Sequence, residues 1–268
     1  MGDDPLKSTH KNFMRATSSA IALAVMATAA QAATLEVSIT NESTTDGLFL
    51  TPVLSIFHDG SFDAFDEGSA ASAGVEAIAE GGQVGTVLQA ATDAGANAGV
   101  LANPAGFAGA PLIDPGETAT LLFDVNPDDR YFSFLSMVIP SNDLFIGNDN
   151  PMAYEVFDAA GLFTNLGTIN VYGGDVWDGG TEANDNQGAA FNPGGGTSTD
   201  TTDVITRLSS LSFLLGEERG AGGTVGSVQG SQDLLATINI AAVPLPAGLP
   251  MLIAGLGLLG LTKRRQSA

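Results

Sequence analysis

The stretch Thr34-Leu35-Glu36-Val37-Ser38-Ile39-Thr40 decides how the rest of the chain is read. Its apolar residues alternate strictly with polar ones, the two-residue period of a strand with one face in a core and the other in water. Outward from it, residues 41–47 are polar and turn-rich, and residues 48–57 (LFLTPVLSIF) form a second strand that Pro52 places at an edge or a bulge. Strand character returns at 118–125 (TATLLFDV) and 131–139 (YFSFLSMVI). The intervening Asn126-Pro127-Asp128-Asp129 is turn chemistry, so this pair is expected to be a hairpin. Shorter apolar runs follow at 153–157, 168–172, 210–215 and 234–240. Residues 70–102 are the one helical region: Val75, Ile78 and Ala79 share a face, and Gly81-Gly82 divides the segment into two short helices. Residues 94–111 are Ala/Gly-rich and read as loop, and residues 186–203 as a long exposed loop. The sum is an all-β fold: an antiparallel β-sandwich with a short helical insertion and long Gly-rich loops.

Both ends of the chain carry segments of another kind. Residues 14–32 (MRATSSAIALAVMATAAQA) combine Arg15, an Ala-rich apolar run and Ala30-Gln31-Ala32, the three-part pattern of a secretory signal peptide. Asp3 and Asp4 are foreign to such a leader, which makes Met14 a candidate start. The expected division is therefore signal peptide 1–32, β-sandwich domain 33–242, and a C-terminal segment 243–268. In that last segment residues 245–262 are 18 uncharged, mostly apolar residues followed by Lys263-Arg264-Arg265. At about 1.5 Å per residue this suffices for a membrane-spanning helix, with the basic end in the cytoplasm and the domain outside.

Charge and composition exclude several functions. Of the 30 acidic residues 28 fall within 33–243, against three of the nine basic ones, so the body carries a net charge of about −25. Such a surface repels nucleic acid and anionic lipid and attracts cations. There is no cysteine, which removes disulfides, thiolate metal sites and cysteine nucleophiles. No Gly-x-Ser-x-Gly, phosphate-loop or His-Glu-x-x-His pattern occurs. Outside the leader the only histidine is His58, at a strand end, where a hydrogen-bonding structural role fits better than that of a catalytic base. The reading is therefore not an enzyme. The alternative is a hydrolase that uses a pair of carboxylates on surface glycans.

Calcium suits the acidic, Gly-rich loops, because it takes six to eight oxygen ligands from flexible backbone and carboxylates. Asp124-Val125-Asn126-Pro127-Asp128 starts like a helix-loop-helix calcium loop, but Asp129 replaces its glycine and Leu135 its bidentate glutamate, so it reads as a turn. Gly173-Gly174-Asp175 does not repeat. The better candidate is Trp177-Asp178-Gly179-Gly180-Thr181-Glu182-Ala183-Asn184, where two acids flank a Gly-Gly turn and the sole tryptophan provides a packing anchor.

Five segments, in order, carry a family resemblance: Leu35 to Asn41 (LEVSITN), Thr51 to Asp59 (TPVLSIFHD), Ala79-Glu80-Gly81-Gly82, Ser136 to Asp143 (SMVIPSND), and Trp177 to Glu182 (WDGGTE). The chain resembles the spondin N-terminal domain family over most of 35–240. The specific pieces are Met-x-x-Pro-Ser-x-Asp and Asp-x-Gly-Thr-acid. The resemblance implies a sandwich similar to C2 domains and a Ca2+ site whose ligands fall here on Asp143, Asp178 and Glu182. Glu182 stands where animal members carry aspartate, and the animal disulfide has no counterpart. The role implied is extracellular binding, with a protein or glycan ligand. Val243-Pro244-Leu245-Pro246-Ala247, with the apolar stretch and basic end after it, resembles the VPLPA-type sorting signal of Gram-negative bacteria. That signal implies export, transient membrane attachment and recognition by a membrane-embedded sorting peptidase.

Overall fold

The computed structural model describes residues 32–103, 111–220 and 222–244. Two antiparallel sheets face each other. The first has four strands, in the order β5 (Thr118–Val125), β1 (Ala33–Asn41), β11 (Leu234–Ala242) and β8 (Thr168–Tyr172). β1 sits inside this sheet, with Val37 opposite Leu121 on one side and Ile240 on the other. Leu35, Val37 and Ile39 are fully buried, as their alternation with Glu36 and Ser38 requires of a strand with one wet face.

The second sheet runs β10 (Thr206–Arg207), β9 (Val176–Asp178), β7 (Leu144–Gly147), β6 (Tyr131–Ile139), β3 (Val53–His58) and β4 (Asn97–Leu101), with β2 (Phe49–Leu50) also paired to β6. β3 is buried at every position. Val53 and Phe57 join the core between the sheets, where they meet Val37, Phe123 and Phe132. Leu54 and Ile56 point the other way, into a second core with Val75 and Ile78 of α1 (Ala73–Gly81) and Val87 and Ala91 of α2 (Gly85–Asp93). A strand covered on both faces has no polar period to display, which is why 48–57 reads as a continuous apolar run. Ser72 caps α1 by accepting the Val75 amide, and Gly82 ends it in the left-handed region at φ 65°. A Cβ at Gly82 would also fall 2.7 Å from the Thr51 side chain.

Several expectations need correction. β5 and β6 are not a hairpin: β5 pairs with β1 and β6 with β3 and β7, so residues 126–129 carry the chain from one sheet to the other. Pro52 marks a bulge and not an edge: Leu50 lies opposite Val138 and Leu54 opposite Leu135, so the strand carries one extra residue around Pro52. It lies in the gap between β2 and β3, and β3 is an interior strand flanked by β6 and β4. Residues 97–101, read as loop, are strand β4. The run at 153–157 forms bridges rather than a strand, and that at 210–215 contains a 3-10 turn. Residues 186–203 are not exposed throughout, since Asn186 and Ala189 are buried.

Among the described residues no helix is long and apolar enough to cross a membrane. The signal peptide up to residue 31 and the apolar stretch 245–262 lie outside the described residues. Val243, the first residue of the Val-Pro-Leu-Pro-Ala motif, still donates its amide to the Thr34 carbonyl at 2.8 Å, at the end of the β1–β11 pairing.

Candidate metal centre

Pairing of β7 with β9 puts Leu144 opposite Asp178, and hence Asp143 beside Gly179, whose amide donates to the Asp143 carbonyl at 3.0 Å. Trp177 fixes β9 from behind. Its ring is fully buried, with Phe65 edge-on at 5.3 Å, and its indole N–H donates to the Gly147 carbonyl at 2.9 Å.

Asp143 is fully buried. Its Oδ2 accepts the backbone amides of Thr181 (2.8 Å) and Glu182 (3.0 Å) and the Thr181 hydroxyl (3.3 Å). Its Oδ1 is buried and has no partner. A carboxylate oxygen removed from water without a donor is costly, so Oδ1 marks a place suited to a cation. Burial pushes the Asp143 carboxyl above the ordinary aspartate value, the nearby Asp178 charge adds to this, and the two amide donors oppose it.

The 178–184 turn curls over this carboxylate. Asp178 Oδ1 accepts the Gly180 amide at 2.8 Å and Oδ2 accepts the Asn184 side-chain amide at 2.6 Å. Glu182 Oε2 accepts from Asn142 Nδ2 at 3.2 Å, while Asn142 Oδ1 accepts the Asn186 amide at 2.7 Å and pins the following loop. Asn184 Oδ1, like Asp143 Oδ1, is a buried acceptor with no donor. The fold thus brings Asp143 and the Asp178–Glu182 turn together across 35 residues of sequence. It does not align their three carboxylates: among the described residues no three His, Cys, Asp or Glu side chains stand close enough together to hold a metal ion. Asp178 and Glu182 are turned instead to the amides of Asn184 and Asn142. The donor set of carboxylates and amide carbonyls is nevertheless all oxygen, the chemistry calcium selects.

Sequence reading missed three neighbours. Asn142 and Thr181 hold the acids in place through the bonds above. Glu80, on α1, lies beside the Thr181 side chain; burial and then the charges of Glu182, Glu76 and Asp143 push its carboxyl up overall, against the lowering by Thr181. Glu80 lies in the Ala79-Glu80-Gly81-Gly82 segment, but nothing in that short motif marks its glutamate as part of a site. Beside the turn, a cavity of about 460 Å³ opens between α1 and the loop after Glu182, with Glu76, Glu80 and Glu182 on its wall.

His58 lies elsewhere, at the end of β3. It is buried, with Nε2 3.0 Å from the Ser133 hydroxyl and Nδ1 accepting the Gly60 amide at 3.1 Å. Both ring nitrogens are engaged in structure.

A search of curated proteins finds no match. The family model described as Spondin_N matches residues 42–213, more than half of the chain and including Asp143, Asp178 and Glu182. The chain belongs to the spondin N-terminal domain family.

Proposed function

We propose that this protein is an exported, calcium-binding β-sandwich module of the adhesion or ligand-binding kind, with Asp143, Asp178 and Glu182 as the calcium ligands. Membership of a family that is typically extracellular supports export, and the same family suggests an adhesion-type module. The observation that carries the calcium reading is the fully buried Asp143, whose Oδ1 has no donor beneath a turn bearing two further acids. Bound there, Ca2+ would offset the repulsion among these carboxylates. Asn142 and Asn184 position Glu182 and Asp178, and Thr181 ties the turn to Asp143. Trp177, directly before Asp178, offers the test. Indole excitation should sensitise luminescence of Tb3+, which takes oxygen sites of the calcium type, and added Ca2+ should quench it. Luminescence that Ca2+ cannot displace, or that persists in Asp178→Ala, would refute the assignment.

The C-terminal segment is proposed to act as a sorting signal read by a membrane-embedded peptidase, with the domain tethered before processing. Its Val-Pro-Leu-Pro-Ala motif begins where the β1–β11 pairing ends, so the domain could be complete when the tail is cut.

A second reading, a carboxylate-dependent hydrolase of surface glycans, is favoured by one observation: the cavity that places Glu76, Glu80 and Glu182 on an accessible wall. Against it, the spondin N-terminal family is not a known enzyme family. Release of reducing ends from a polysaccharide by the wild type and not by Glu80→Gln would establish it.

A further inference from the structure

A second polar pocket lies at the other end of β9, where the edge strand β8 of one sheet approaches β6, β7 and β10 of the other. It encloses about 200 Å³. At about 30 Å³ per water this is room for roughly seven waters, well below the about 300 Å³ at which sites for drug-sized ligands begin. One six-membered ring with its substituents fits.

The chemistry of the lining narrows the class. Tyr154 supplies the aromatic face, its ring packed against the buried Phe134 with centroids 6.3 Å apart and tilted by 35°. Asn148 stiffens the wall and has no capacity to spare: its oxygen accepts the Phe134 amide and its nitrogen donates to the Ser133 hydroxyl and the Asn150 carbonyl. Other groups are free. The Asn170 side chain, exposed on β8, makes no hydrogen bond among the described residues, and neither does the Tyr154 hydroxyl. Burial lifts Tyr154 above the ordinary tyrosine value, helped by the Asp175 charge, so the hydroxyl stays a donor. Arg207 is immobilised by stacking over Trp177 at 4.2 Å and by donating through Nη1 to Asp175 Oδ1 at 2.6 Å. Its Nη2 and Nε face no other partner among the described residues. With Asp149 also on the wall, two carboxylates outweigh one guanidinium, which disfavours phosphate, sulfate and carboxylate ligands.

An aromatic face for a C–H surface, a free amide and phenol and a held guanidinium for hydroxyls, and no surplus positive charge describe a site for a neutral polyol. We propose that this pocket binds one neutral hexopyranose unit, either a free sugar or the terminal residue of a glycan. The proposal extends the extracellular-binding reading by naming a ligand class, but it shares no residue with the calcium site.

The test is ligand-observed saturation-transfer NMR on the full protein with the α- and β-methyl glycosides of glucose, galactose and mannose. At least one should give a saturable signal, weakened about fivefold or more in Asn170→Ala and in Tyr154→Phe, the loss of one hydrogen bond. Both variants should keep the wild-type melting temperature, since neither group bonds to the protein. A disaccharide that ends in the preferred sugar and binds as well points to a glycan terminus; one that fails to bind points to the free sugar. No saturable signal from any of the six glycosides, or a signal unchanged in both variants, overturns the proposal. Sugar binding that survives in Asp178→Ala while calcium binding is lost would show that the two readings stand or fall separately.

Discussion

Asp143 Oδ2 accepts the backbone amide of Glu182 at 3.0 Å, although 39 residues separate the two in sequence. With the Thr181 amide on the same oxygen, this single atom closes the turn that follows β9. Asp143→Ala leaves two part-buried N–H groups without their acceptor, at up to roughly 1–3 kcal/mol each. The expected outcome is a loss of about 2–5 kcal/mol in denaturant unfolding, with or without chelator. Asp143→Asn retains an acceptor oxygen and should lose much less in chelator. Equal losses for the two variants would show that the bonds do not hold the turn.

Chelation should separate the ion from the turn. Free Ca2+ at about 100 times its dissociation constant stabilises the protein by roughly 2.7 kcal/mol, several degrees of melting temperature for a domain of this size. EDTA should therefore lower the melting temperature of the wild type by several degrees and that of Asp178→Ala far less. Equal shifts in both would place the ion elsewhere.

His58 gives a pH dependence of definite sign. Burial holds its folded pKa below the ordinary value of about 6.5, and the Asp59 charge offsets this only in part. Above about pH 6.5 the imidazole is neutral in both states and its contribution is complete. As pH falls from there toward the folded pKa, the unfolded chain takes up the proton first and stability is lost. His58→Gln should remove that component, so the stability difference between wild type and variant should shrink from pH 7.5 to about pH 5.5. A difference that stays constant over this interval would contradict the buried neutral imidazole.

If the tail is a processing signal, Pro244 and Pro246 would be read as an extended segment at the start of the apolar stretch, since proline disfavours helix there. Replacing both by Ala should leave membrane insertion intact, because insertion depends on hydrophobicity and flanking charge, yet abolish C-terminal trimming. Intact-mass measurement in a host that carries the sorting peptidase decides this. A wild-type mass that still includes Lys263 to Ala268 would reduce the tail to a simple anchor.

What the sequence made legible follows from what local pattern encodes. The alternation of β1 and the two-sided burial of β3 belong to single strands, and both strands are where their patterns put them. The link from β5 to β6 could not be read this way. Asn126-Pro127-Asp128-Asp129 announces that the chain turns, but which sheet receives the next strand depends on distant partners such as Val37 and Leu54. β4 was hidden because Asn97-Ala98-Gly99-Val100-Leu101 has no alternation. Its glycine serves a tertiary need, since a Cβ on Gly99 would lie 2.8 Å from Leu121 and 2.9 Å from Phe123 in the facing sheet. At the site, Asp178 and Glu182 stood out by flanking a Gly-Gly turn. Asp143 emerged only through family resemblance, because its role comes from the β7–β9 pairing. Glu80 sits in a helix of ordinary amphipathic pattern, and only the packing of α1 on the second sheet brings it to Thr181.

The central claim, that Asp143, Asp178 and Glu182 hold one calcium ion, is tested most directly by calorimetric titration of the metal-free protein with Ca2+. The account predicts one ion per chain for the wild type, with binding weakened at least about tenfold in Glu182→Gln and lost in Asp178→Ala and Asp143→Asn, since each variant removes a charged ligand. Absence of binding in the wild type, or one ion bound with unchanged affinity in Asp178→Ala, would contradict it.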